Sequence, residues 1–167
     1  MTAIRQLQMS YSPEEDRILL RLNTSAHEEF RFWLTRRYSM MMLQSLKAHR
    51  AADPDVSIQP TSDAKKAVQE FKQEAANSQG NFQDDFKTSE KFPLGDSPVL
   101  AHKLVYKVEG SKLVLTIEPR SGKGITIVLD AQLNFNVSKL LKSASESAKW
   151  ELDWDEQPAS SPTRVIN

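Results

Sequence analysis

The chain contains no cysteine, and only three histidines and five glycines among its 167 residues. Each shortage removes a class of chemistry. Without cysteine there are no disulfides, no thiolate nucleophile and no sulfur-ligated metal, a composition that suits a reducing compartment. His27, His49 and His102 are too scattered for metal-ligand spacing, and His27 falls in an expected turn. The glycines form no phosphate-cradling loop, and Gly122-Lys123-Gly124 reads as a short hairpin turn. No run approaches the roughly 18 apolar residues of a membrane span. The opening MTAIRQLQMSYS also lacks an apolar stretch of signal-peptide length. Paired carboxylates occur at Glu14-Glu15-Asp16, Glu28-Glu29 and Asp84-Asp85, in turns or loops where solvated charge is the default. These absences lead us to expect a cytoplasmic protein that is not an enzyme, needs no cofactor or metal, and does not engage a membrane.

The formal net charge of zero is unevenly spread. Residues 1–50 and 99–151 each carry eight basic against five acidic side chains, whereas 51–98 carries five against nine. A duplex-DNA binder is usually more basic, because phosphate neutralisation dominates its affinity. A weaker polyanion partner is compatible with this balance.

Hydrophobic periodicity organises the rest. IRQLQMSYS (4–12), RILLRLNTS (17–25) and FRFWLTR (30–36) read as strands. Ile18, Leu20, Leu22, Phe30, Phe32 and Leu34 alternate with polar positions and define one buried face. From Tyr38 to Arg50 the period becomes helical, with Met42, Leu43 and Leu46 on one side. Met40-Met41-Met42 is expected to serve as helix core. Adding 95 to each number recreates the layout: Leu113, Leu115, Ile117, Ile125, Ile127 and Leu129 take the inner positions, and Tyr106 matches Tyr11. The chain therefore reads as tandem β-β-β-α repeats over 4–49 and 99–144 with equal turn lengths. The expected class is α+β, each antiparallel meander covered by a helix, the halves side by side about a pseudo-two-fold axis.

The expected boundaries are a first repeat at 1–50, a linker and helical insert at 51–98, a second repeat at 99–152 and a disordered acidic tail at 153–167. Within the insert, 51–62 is a Pro-containing linker. Residues 63–79 form an amphipathic helix with Ala64, Val68, Phe71 and Ala75 on its stripe, Ser62 as N-cap and Gly80 as stop. Phe82, Phe86 and Phe92 are too apolar for a free linker and should pin it to the body. Val137, Leu140, Leu141, Ala144 and Ala148 mark the final helix; Trp150 and Trp154, four apart, either extend it over the core or belong to an acidic–aromatic tail that docks on a basic groove of this or another protein.

If the even-numbered side chains point inward, the opposite face of the first meander carries Arg17, Leu19, Arg21, Arg31, Trp33 and Thr35, and runs into Arg36 and Arg37. A tryptophan among arginines on a sheet is the composition that stacks unpaired bases and tracks a phosphate backbone. Arg17, Arg21, Arg31, Trp33, Arg36 and Arg37 are thus candidates for contacting single-stranded DNA or RNA. The second meander offers Lys112, Val114, Thr116, Thr126, Val128 and Asp130 at its equivalent outer positions. A different reading takes the apolar pairs Leu19/Trp33 and Val114/Val128, with Trp150 and Trp154, as an interface that buries a homodimer or a sheet contact.

Tandem meander-plus-helix units with a basic, aromatic sheet surface resemble the Whirly and purine-rich-element-binding families. That resemblance covers 4–50 and 99–148, is architectural, and implies single-stranded nucleic-acid binding. Those families use four strands per unit where three are legible here. The run EEDRILLRLNT with EEFRFWLTRRY also resembles a small proteobacterial family that brings no function with it.

Overall fold

A computed structural model describes residues 3–79, 85–154 and 163–166. The elements run β1 (Ile4–Ser12), β2 (Arg17–Thr24), β3 (Glu29–Leu34), α1 (Arg36–Ala51), α2 (Pro54–Ser57), α3 (Ser62–Gln79), β4 (Val99–Glu109), β5 (Lys112–Pro119), β6 (Ile125–Leu129), α4 (Ala131–Ser147) and β7 (Thr163–Ile166). The protein is α+β. One mixed sheet has the order β1-β2-β3-β4-β5-β6, and β7 adds to β4.

Alternation decides the two faces. Every inward position expected from the period-2 pattern, from Ile18 to Leu34 and from Leu113 to Leu129, is buried, and these side chains share one hydrophobic cluster. The strands are antiparallel within each meander. The seam between the meanders is parallel and short, pairing only Phe32 with Val99 and Trp33 with Leu100. The helices reinforce it by crossing over. α1 packs on β4, α4 packs on β1, and the two helices touch each other.

The hairpins share register, but not with one constant offset. Ile18 faces Leu34 and Leu113 faces Leu129, so β2–β3 and β5–β6 correspond at 95 (18 to 113). Leu7 faces Leu22 and Leu104 faces Ile117, so β1 and β4 correspond at 97 (7 to 104). The irregularity between Ile4 and Gln6 recurs at the same 97 between Ala101 and Lys103. The expectation of equal turns therefore fails at the first hairpin. Pro13–Asp16 joins β1 to β2, whereas Gly110–Ser111 joins β4 to β5. Gly110, at φ 59, supplies the left-handed conformation that a two-residue hairpin requires. A slip of two residues preserves which side chains point inward, so hydrophobic pattern alone does not reveal it.

The helices that follow the two meanders, α1 and α4, each open on a side-chain cap. Thr35 Oγ1 accepts from the Tyr38 N–H at 3.1 Å, and Asp130 Oδ1 from the Leu133 N–H at 2.8 Å. Thr35 and Asp130 are thus helix N-caps rather than members of the outer sheet face. Met41 and Met42 enter the core, but Met40 is exposed.

Four other expectations change. The linker at 51–62 contains the one-turn helix α2, capped by Asp53, with Val56 buried. Thr61, not Ser62, caps α3, through a 3.1 Å bond to the Ala64 N–H. Phe71 is exposed and Gln69 buried, because α3 packs against α2 and α4 instead of laying its apolar stripe on the sheet. The final helix stops before the tryptophans. Lys149 adopts φ 58, its N–H bonds to Glu146 O and the Trp150 N–H bonds to Ser145 O, a Schellman closure. Trp150 and Trp154 nonetheless pack on the core, Trp150 edge-on to Tyr11 at 5.8 Å.

The tail is also not wholly irregular. Thr163–Ile166 pairs antiparallel with β4 from Leu104 to Lys107. β3 covers that edge of β4 only at Val99 and Leu100, so backbone groups farther along it are open to another strand. The expected stop at Gly80 and the expected anchor at Phe82 lie outside the described residues.

Candidate functional site

The outer sheet face follows directly from the register. Ser10, Leu19, Trp33 and Leu100 lie in one cross-strand row that passes through the seam, and Gln8, Arg21 and Arg31 form the next. Leu19 and Trp33 are directly opposite each other, as are Val114 and Val128, and all four are half-buried. Leu100 is 41% exposed.

The arginines divide into two groups. Arg21 and Arg31 converge on Glu29, a carboxylate with no exposed surface. Glu29 Oε1 accepts from Arg21 Nε at 3.0 Å and Nη2 at 2.9 Å, and from Arg31 Nε at 2.8 Å. Its other oxygen accepts from the Ser89 N–H at 3.0 Å. Burial pushes the Glu29 carboxyl up, but the bonds from Arg31, Ser89 and Arg21 outweigh it and hold the group below the usual carboxylate value.

Ser89 belongs to a strap, residues 85–96, laid across this face. The Arg21 guanidinium sits 4.2 Å above the Phe86 ring, and that of Arg31 4.9 Å from the Phe92 ring. Arg21 also donates to Thr88 Oγ1 at 3.2 Å, and Arg31 to Asp96 O at 2.7 Å. Asn23 donates to Lys87 O, and Gln6 exchanges bonds with Asp85 O and the Lys87 N–H. Phe86 and Phe92 anchor the segment as expected, with arginine planes as their seats.

Arg17, Arg36 and Arg37 lie beyond the strap, at the far end of β2 and the start of α1. Arg36 and Arg37 are exposed. Arg17 makes only a loose 3.8 Å contact with Glu15, and Arg36 donates to Glu151 O at 3.3 Å. Of the six residues grouped by sequence, Arg17, Arg21, Arg31 and Trp33 thus lie on β2 and β3, with Arg21 and Arg31 held against the strap, whereas Arg36 and Arg37 open α1. Glu29 is the residue that sequence reasoning missed. Its acidic neighbours make it read as turn charge, but its place two residues before Arg31 on β3 puts it on the same face.

A second polar assembly joins α1 and α4. His49 Nε2 donates to Ser111 O at 2.9 Å, so Nδ1 is the acceptor for Asn134 Nδ2 at 2.8 Å. Asn134 also donates to Leu46 O, while its oxygen accepts from Arg50 and Ser138. Burial keeps the His49 pKa below its ordinary value. The ring is a saturated part of the helix interface, with no lone pair left for chemistry. Among the described residues no group of His, Asp or Glu is arranged to hold a metal, and no helix is long and apolar enough to cross a membrane.

No protein-family profile, curated protein or solved structure matches this chain.

Proposed function

We propose that the protein is a non-enzymatic cytoplasmic assembly module that pairs with a second copy of itself through the outer face of its sheet. The observation that carries this reading is the row Leu19, Trp33 and Leu100, which continues apolar across the β3–β4 seam. Val114 and Val128 extend partly exposed apolar surface over the second meander. A fully desolvated apolar centre with cations at its rim is the usual anatomy of a protein interface. Arg17, Arg36 and Arg37 supply such a rim. Arg21 and Arg31 already have a buried counter-charge, so a phosphate has less to gain from them. Sedimentation of the full chain from 1 to 300 µM is expected to give a concentration-dependent dimer that Leu100→Lys weakens at least tenfold. A monomer throughout that range removes the reading.

Single-stranded nucleic acid is a second reading because half-buried Trp33 near the end of β3 is followed closely by the exposed pair Arg36 and Arg37. It predicts oligonucleotide quenching of tryptophan fluorescence that weakens with salt and is lost in Trp33→Ala. Persistence of quenching in that variant excludes this face.

We also read the two halves as copies of one β-β-β-α unit related by a pseudo-two-fold. Support comes from the matching hairpin registers, the recurring strand irregularity and the reciprocal packing of α1 on β4 and α4 on β1. The exchange is unequal at the sheet edges, since β3 pairs with β4 whereas β1 and β6 end the strand order.

A further inference from the structure

Among the described residues, β7 has no counterpart in the first half of the chain. The offset of 97 that relates β1 to β4 carries residues 104–107 back to 7–10, and that stretch pairs with β2 alone among the described residues. Leu7 and Met9 are buried all the same. A meander of this kind therefore folds without a further strand beside its first one. β7 is an accessory that β4 can exchange while keeping its register with β5.

The edge it occupies is bounded at both ends. β3 pairs with β4 at Val99 and Leu100 and then leads into α1. Lys103 O accepts from Tyr38 Oη of α1 at 3.1 Å, so Tyr38 ends the open stretch on that side. The turn at Gly110 ends it on the other. Between them, residues 104–107 pair antiparallel with Thr163–Ile166. Such an edge reads backbone groups, which are the same whichever molecule brings the strand. Local concentration therefore decides between a chain's own tail and another's.

The segment seated on the edge is the chain's own, so every further copy carries a strand that fits it. Eight residues, DEQPASSP at 155–162, join Trp154 to β7. At full extension a connection of that length spans about 30 Å. The edge is also continuous with the apolar row, since Leu100 lies on β4 itself, about 13 Å along the strand from Leu104. Sheets packed face to face stand about 10 Å apart, which brings each β4 edge within reach of the other copy's tail. We infer that paired copies exchange their C-terminal strands, Thr163–Ile166 of one adding to the β4 edge of the other. The inference rests on the outer-face pairing proposed above, which raises the second tail to a concentration comparable with the first.

The lack of cysteine makes this register testable by disulfide trapping. Val105 and Val165 are directly opposite each other, a spacing within disulfide reach. Full chains carrying Val105→Cys and Val165→Cys are mixed at a concentration where the dimer forms, oxidised, and run on a non-reducing gel, with circular dichroism confirming that each variant folds. Linked pairs are expected at least tenfold above a mixture of Val165→Cys with Ser57→Cys, an exposed position away from the edge. Linking no greater than that control, in a chain that sedimentation shows to be dimeric, overturns the exchange and leaves the outer-face reading standing. A double variant, Val105→Cys with Val165→Cys, that closes only upon itself overturns it in the same way. Capture of Val105→Cys by a free peptide of residues 158–167 with Val165→Cys, but not by the whole chain, also overturns it and assigns the edge to a foreign strand. Linked pairs that survive Leu100→Lys support the exchange and remove the outer-face reading instead.

Discussion

Glu29 shows how much one side chain can organise. Two half-buried arginines, a backbone N–H from the strap and a fully buried carboxylate satisfy one another, and removing any member leaves the others short. Glu29→Gln keeps the shape and discards the charge. It should destabilise the fold by roughly 3 kcal/mol, as expected when a buried ion pair loses one partner, and a urea titration measures this. His49 gives a pH signature. Its folded pKa lies below the unfolded value of 6.5, so the unfolded chain binds more protons in that window. Stability is complete above pH 6.5 and falls as the pH drops through and below it. Glu29 adds a further loss as the pH falls below 4.5. The urea midpoint should therefore decline from pH 7.5 to 5.5, and a His49→Gln variant should show a flatter profile across that interval.

At the scale of elements, termini and connections carry what the strand pattern does not. Lys149 occupies a left-handed position that glycine holds without Cβ strain. Lys149→Gly should raise stability by about 1 kcal/mol, detectable as a higher melting temperature. The strap depends on Phe86 and Phe92 resting on guanidinium planes. Truncating both to alanine should release amide protection across 85–96 in hydrogen exchange while β2 and β3 keep theirs. Equal loss in the strands would mean that the strap is integral to the sheet instead of laid upon it. Gly124 marks another constraint, since a Cβ there would stand 2.0 Å from Ile117 O. The chain needs glycine at that point for β6 to turn back against β5.

The whole molecule is held by exchange between its halves. Only two residue pairs join the meanders through backbone bonding, yet α1 covers β4 and α4 covers β1. Neither half can bury its own apolar face with its own helix alone. Residues 1–51 in isolation should therefore lack a cooperative thermal transition, and mixing them with 99–167 should restore one in circular dichroism. A cooperative transition in the isolated half would show that the crossover is not needed for folding.

Much of this was legible in the chain because strand and helix periods are local properties. Ile18, Leu20, Leu22, Phe30, Phe32 and Leu34 alternate strictly, and so do their counterparts from Leu113 to Leu129. Residues 85–96 carry no comparable period. Their place follows from arginines far away in sequence, so only the aromatic excess hinted at it. Glu29 was invisible as a buried ion for the same reason: a carboxylate between a turn and a strand looks solvated until something covers it. Gln69 and Phe71 exchange roles because α3 meets other helices and not the sheet, and composition does not specify the neighbour.

The sequence by itself determined which side chains face inward on β2, β3, β5 and β6 and that a long helix follows each meander. A period of two or 3.6 and a capping side chain act within a few residues. Tertiary structure alone decided the parallel β3–β4 seam, the pairing of β7, the crossover of the helices and the burial of Glu29 beneath the strap. Those depend on which surfaces meet after the chain has folded back over tens of residues, where long-range packing and ion pairing outweigh local preference.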